Sequence, residues 1–219
     1  MLRIFVLLIF AGTSAAAWAQ TSYKRAGTWD VGFVVLDTGS DTVYGEQGTS
    51  LAVEGDTGWG GWGSYNFTDR LAVSFDYTYL SPRYRATYRL DNGGGQLETL
   101  SHVASVGNLQ VKGTFYFLDG PLTPYVEAGA GWAWVDSNVA RGPPTTGCWW
   151  DPWWGYICQS YYNTYNDRSA SYSAAVGIRW DLSADYTLRA DYGILNVDTS
   201  AASDPIEVTA LRVAFGWRF

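Results

Sequence analysis

The chain has little of what catalysis and metal binding usually need. It holds one histidine and two cysteines in 219 residues, and charged residues make up only 16% of it. A Ser-His pair needs nucleophile and base within hydrogen-bond reach. The single histidine, His102 in "LSHVAS", has Ser101 beside it and Ser105 three residues on, and in a strand both face away from it. One histidine, with no carboxylate cluster at a ligand spacing, also leaves metal binding without a donor set. No catalytic, metal-ligating or cofactor-binding residue is therefore expected. Cys148 and Cys158 are too far apart for the C-x-x-C redox spacing. Cations are scarce too: 14 Lys+Arg against 21 Asp+Glu leave no basic face for nucleic acid. Beyond the first residues no run approaches the length of a membrane-spanning helix. The triplet "GGG" at 93–95 lacks a strand-to-helix context and reads as a loop tip, not a phosphate cradle.

The start of the chain has a clear signal. "MLRIFVLLIFAGTSAAAWA" combines Arg3, an apolar run from Ile4 to Ala11, and Ala17 and Ala19 at the −3 and −1 positions of an A-x-A site. This predicts a secretory signal peptide over 1–19, cut before Gln20, and a single domain over 20–219. Removing Arg3 leaves 13 Lys+Arg against 21 Asp+Glu, a net charge of −8. In an exported chain, Cys148 and Cys158 are expected to pair with each other.

The remainder is rich in glycine (25 residues) and aromatics (17%), and it alternates. Leu211, Val213, Phe215, Trp217 and Phe219 occupy every second position, with Ala210, Arg212, Ala214, Gly216 and Arg218 between them. The same period of two recurs from Val31 to Val35, Leu71 to Tyr79, Leu109 to Phe117, Ala128 to Trp134, Tyr172 to Trp180 and Leu188 to Ile194. A further strand is placed from Leu51 to Phe67, interrupted by glycine. Short turns fall at 66–70, 118–123 and 181–186, and long loops at 37–49, 81–101, 136–170 and 195–205. Eight strands with all short turns at one end describe an all-β, antiparallel up-and-down barrel.

Two kinds of barrel fit that count. A soluble lipocalin-type calyx is one, and "GTW" at 27–29 matches a G-x-W opening. Its outward face would carry Lys, Glu, Gln and Thr. Here the non-apolar face is instead Gly, Ala and Ser with scattered charges, which suits the narrow interior of an eight-stranded barrel. The apolar face then looks outward, into lipid. Tyr65, Phe67, Phe115, Phe117, Trp180, Tyr186, Trp217 and Phe219 would form one interfacial girdle near the short turns. Tyr77, Tyr79, Trp132, Trp134 and Tyr192 would form the other.

The signal peptide, "GSYNFTDRLAVSFDYTY", "TPYVEAGAGWAWVD" and the closing "LRVAFGWRF" resemble the small outer-membrane β-barrel proteins of Gram-negative bacteria. That group includes the OmpA transmembrane barrel, OmpW and opacity-type surface proteins. The resemblance covers essentially all of 27–219. It implies an outer-membrane location, short periplasmic turns and long extracellular loops. It also implies a C-terminal signal, Phe215, Trp217 and Phe219, read by the barrel-insertion machinery. Lipid and lipopolysaccharide would surround a monomer. No peptidoglycan-binding segment is expected to follow the barrel.

On the strand parity, Asp76, Lys112, Glu127, Arg179, Arg189, Asp191 and Arg212 point into the lumen, with Asp30 or a water completing the network. Buried charges persist only when paired. The set reads as a plug that fixes register, or alternatively as a gate or narrow ion path. "TTGCWWDPWWGYICQSYY", residues 145–162, lies in the third outer loop, with Asp151-Pro152 as turn chemistry. Trp149, Trp150, Trp153, Trp154 and Tyr156 form either a self-packed tip resting on headgroups or a rigid platform for an extracellular glycan, lipid or protein ligand. The functional expectation is a non-enzymatic structural or surface-interaction barrel. The alternatives are a narrow channel for small hydrophobic or ionic solutes, as in OmpW-like members, and a lipid-modifying barrel enzyme.

Overall fold

A computed structural model describes residues 24–44, 48–89, 97–140, 143, 145–161, 163–198 and 206–219. The signal peptide expected over 1–19 and the glycine triplet at 93–95 lie outside the described residues. The strands, in chain order, are β1 (Thr28–Thr38), β2 (Asp41–Tyr44), β3 (Ser50–Val53), β4 (Thr57–Asn66), β5 (Leu71–Leu80), β6 (Arg83–Arg89) and β7 (Leu97–Val103). They continue with β8 (Ser105–Tyr116), β9 (Leu122–Ala140), β10 (Thr145–Asp151), β11 (Gly155–Tyr161), β12 (Thr164–Asp181), β13 (Tyr186–Val197) and β14 (Ile206–Arg218).

Eight of these close into a barrel in the order β1-β14-β13-β12-β9-β8-β5-β4, every pair antiparallel. Closure comes from β1, which pairs with β14 along Phe33↔Phe215 and with β4 along Phe33↔Gly61. Each barrel strand is at least as long as the roughly 9–11 residues a tilted strand needs to cross hydrocarbon. The burial pattern is that of a soluble protein turned inside out. Phe33 is 65% exposed and Val176 62%, while Arg179 is 0% and Glu127 3%. Among the described residues, two small apolar groups cluster inside: Val34, Trp62 and Ala214, and Ala72, Tyr116 and Tyr125.

Aromatic contacts line the outer wall beside the short turns. Trp29 meets Tyr65 at 5.0 Å, Tyr65 meets Phe67 at 4.8 Å, and Phe215 meets Trp217 at 5.2 Å between ring centroids. Toward the long-loop end, Trp59 meets Tyr79 at 6.2 Å and the Arg168 guanidinium lies 5.7 Å over the Trp134 ring.

The long-loop end is more ordered than alternation suggests. The single strand expected over Leu51–Phe67 is broken at Glu54–Asp56 into β3 and β4. β3 leaves the barrel and joins a separate four-stranded sheet in the order β2-β3-β6-β7. This sheet unites the first two outer loops through β3 and β6, for instance Val53↔Tyr84. It is tied to the rim: the Tyr84 hydroxyl donates to the Ser137 carbonyl at 2.9 Å, and Asn138 Nδ2 to the Val103 carbonyl at 2.6 Å. Ser81 and Pro82 separate β5 from β6, and Pro82 cannot donate to a ladder, so the chain changes sheet there. His102 consequently sits in this outer sheet, opposite Tyr84, and not at the top of the fourth barrel strand. The third loop is shorter than 136–170, because β9 and β12 stay paired out to Ala140↔Thr164.

The tight curvature of eight strands leaves some inward positions no room for a side chain. A Cβ on Gly131 would run into the Leu109 carbonyl and come within 2.7 Å of the Gln110 Cα. Gly131→Val is therefore expected to prevent closure of β9 onto β8. Unheated samples of the variant should lose the compact, fast-migrating band in SDS gels.

Candidate functional site: a charged lumen and an aromatic hairpin

Inward polar residues on neighbouring strands build the lumen in layers. The first layer lies at the short-turn end. Arg179 on β12 donates from Nη2 to Asp30 Oδ2 at 2.8 Å, from Nε to Asp181 Oδ1 at 2.9 Å and from Nη1 to the Tyr116 hydroxyl at 2.8 Å. Arg218 on β14 reaches the same two carboxylates, at 3.0 Å to Asp30 and 2.5 Å to Asp181. Asn66 donates to Asp30 at 2.8 Å. Arg25, in the segment before β1, is fully buried and donates from Nε to Asp181 at 2.8 Å. Its other nitrogens donate to the carbonyls of Asp69, Leu118 and Gly120. One side chain thus clasps two short turns and the end of β12. The Arg25 and Arg179 guanidiniums also lie 5.3 and 5.1 Å from the Tyr116 ring centroid.

The second layer crosses the middle of the barrel. Lys112 donates to Asp76 at 2.9 Å and to Glu127 at 3.2 Å. Arg189 donates to Glu127 at 2.5 Å, held between the rings of Trp62 and Tyr125 at 5.0 and 4.7 Å. Arg212 donates to Asp76 at 2.8 Å and to Glu127 at 3.2 Å, with Asp191 at 3.5 Å. Asp191 also accepts from the Tyr125 hydroxyl at 2.7 Å. Three cations meet three anions, so the layer is neutral. Lys112 bonds to the two strands beside its own, while Arg212 on β14 crosses the lumen to Asp76 on β5, three strands away in the ring. A third, uncharged layer follows toward the loops, where Ser171 donates to Asn108 at 2.7 Å and Ser173 to Gln110 at 2.7 Å.

All seven lumen residues named from the sequence face inward and are buried, but they do not form one network. Asp76, Lys112, Glu127, Arg189, Asp191 and Arg212 come together, while Arg179 belongs to the lower layer with Asp30. Sequence reasoning passed over Asp181 and Arg218, although both share the inward parity of Arg179 and Arg212. It had no signal for Arg25, whose role comes from the segment before β1 packing under the barrel.

Outside the lumen, the turns at this end are joined by an exposed pair. Arg70 donates to Asp119 at 2.7 and 2.9 Å, and these bonds hold the Asp119 carboxyl below its ordinary range.

The second candidate is the hairpin of β10 and β11. Cys148 and Cys158 face each other across the ladder and are disulfide-bonded. Asp151 Oδ1 accepts the backbone N–H of Trp153 at 2.8 Å and of Trp154 at 3.0 Å. Gly155 then takes φ 77°, which L side chains rarely adopt. Trp150 pairs with Tyr156, and by alternation both stand on the same face as the disulfide, with Trp149 and Ile157 on the other. Trp153 is 87% exposed and Trp154 81%. These rings project outward and are not packed into a tip core.

A closed barrel with an apolar outer wall, aromatic girdles and an ion-paired lumen defines an integral membrane barrel protein. The chain matches the outer membrane protein beta-barrel domain over residues 5–219 and belongs to that family, which places it in the outer membrane of Gram-negative bacteria. Its fold is similar to that of OprG from Pseudomonas aeruginosa, at 15% identity, 89% of this chain, 96% of that one and a TM-score of 0.55. It is also similar to neisserial surface protein A, at 12% identity, 88% and 97% coverage and a TM-score of 0.54. No curated protein matches the chain.

Removing Glu127 would leave Arg189 with its main acceptor gone and Lys112 and Arg212 each short of one. Glu127→Ala is expected to cost about 3–5 kcal/mol. Urea unfolding in lipid vesicles should report it as a lower midpoint. Arg25→Ala should also lower the midpoint, and it should raise proteolysis at the 118–121 turn, whose carbonyls Arg25 holds.

Proposed function

We propose that this is a non-enzymatic surface-interaction protein of the outer membrane, exported by a cleaved signal peptide over 1–19. In this reading the barrel is a closed scaffold and the third outer loop makes the contacts. The observation that carries it is the disulfide-clamped hairpin with Trp150, Trp153, Trp154 and Tyr156 all exposed. Contiguous exposed aromatics on a rigid element are characteristic of interaction sites. The ion-paired layers support a plugged lumen, since eight strands leave room only for side chains. His102 lies opposite Tyr84 in the outer sheet, their rings 6.5 Å apart.

The purified protein should show no steady conductance in planar bilayers, and a stable open level would overturn the plug. Cells carrying the double change Trp153→Ala and Trp154→Ala should lose attachment to cell monolayers and glycan-coated surfaces. The barrel should still show its compact mobility in unheated gels. Attachment equal to wild type would refute the role of the hairpin.

A further inference from the structure

The chemistry of the hairpin tip narrows what it touches. Between Cys148 and Cys158 the sequence carries no cation and one carboxylate. That carboxylate, Asp151, has an oxygen occupied by two backbone N–H groups of the turn. At the hairpin base, the Thr146 and Ser160 hydroxyls lie 3.5 Å from each other. The other polar side-chain atoms between the two cysteines are the second Asp151 oxygen, the indole N–H groups and the Tyr156 hydroxyl.

A sugar or peptide site generally fixes its ligand's orientation with a few placed hydrogen-bonding groups beside the apolar ones. This tip has rings without such a set. Its groups are those that settle at a membrane–water interface, where an indole buries its ring and leaves its N–H among headgroups. Charge limits which bilayer it can meet. The outer segments 37–56, 81–104, 136–170 and 195–210 carry thirteen carboxylates against five arginines and no lysine. That collar is repelled by an anionic surface within about a Debye length of roughly 8 Å. It disfavours anionic bilayers and the phosphate-bearing lipopolysaccharide leaflet, and leaves a zwitterionic one.

We infer that the 148–158 hairpin is a lipid-docking element that inserts its tryptophans into the interface of an apposed zwitterionic membrane. This rests on the hairpin being the contact element of the protein. The disulfide supplies rigidity: four rings presented together on a span closed between residues 148 and 158 enter the interface with less ordering cost than a free loop would pay.

The test is flotation of the full-length protein, held in amphipol, with phosphatidylcholine vesicles. Vesicles containing phosphatidylglycerol and vesicles containing lipopolysaccharide run in parallel. The expected result is binding to phosphatidylcholine that is little changed by salt, and weaker binding to both anionic preparations. Trp153→Ala with Trp154→Ala should weaken it by about tenfold or more, Trp153→Phe with Trp154→Phe should weaken it less, and reduction of the disulfide should also weaken it. Absence of binding to phosphatidylcholine, a preference for anionic vesicles, or equal binding by the Ala variant would overturn the inference. If cell attachment needs the hairpin but vesicles are not bound, a glycan or protein is the partner, and only the lipid assignment falls. If attachment ignores the hairpin, the surface-interaction reading falls with it.

Discussion

The pairing of β1 with β14 is the constraint on which everything else depends. In hydrocarbon an unpaired strand edge costs several kcal/mol per exposed backbone group, so the sheet must close. Once it closes on eight strands, the outer face is committed to lipid and the inner face to a space filled by side chains. The outward Phe, Val and Trp and the inward Gly, Ala, Ser and charges are two consequences of that single closure. Tight coiling then demands glycine where strands approach most closely, as at Gly131.

Closure also decides how charges can survive in the interior. Some pair between neighbouring strands and others, such as Arg179 with Asp30 and Arg212 with Asp76, between strands three positions apart, so the ion pairs brace separate walls as well as neutralising one another. The middle layer is balanced internally, three against three. The lower layer brings in Arg25 from outside the strands and so couples the turns and the segment before β1 to the barrel.

The loops follow a different logic. The first two combine into a four-stranded sheet with its own ladder, pinned to the rim through Tyr84 and Asn138. The third continues the β9–β12 ladder outward before it gives way to the disulfide-bonded hairpin. Anionic side chains dominate this end and aromatic rings crown it. That combination supports contact with neutral surfaces over charged ones.

The amino-acid pattern alone determined the barrel, its outward face and the inward direction of the seven lumen charges named from it, because a period of two assigns faces without knowing the neighbours. It also determined that Cys148 and Cys158 would meet, since they are the only pair in an exported chain. Tertiary structure decided which inward charges share a layer. Arg179 and Arg189 are register partners on neighbouring strands, yet their side chains reach different carboxylates. It also decided that β3 would desert the barrel for β6, and that Arg25 would close the lower end. Those outcomes depend on contacts between segments far apart in the chain, such as the 156 positions between Arg25 and Asp181, and local alternation carries no record of them.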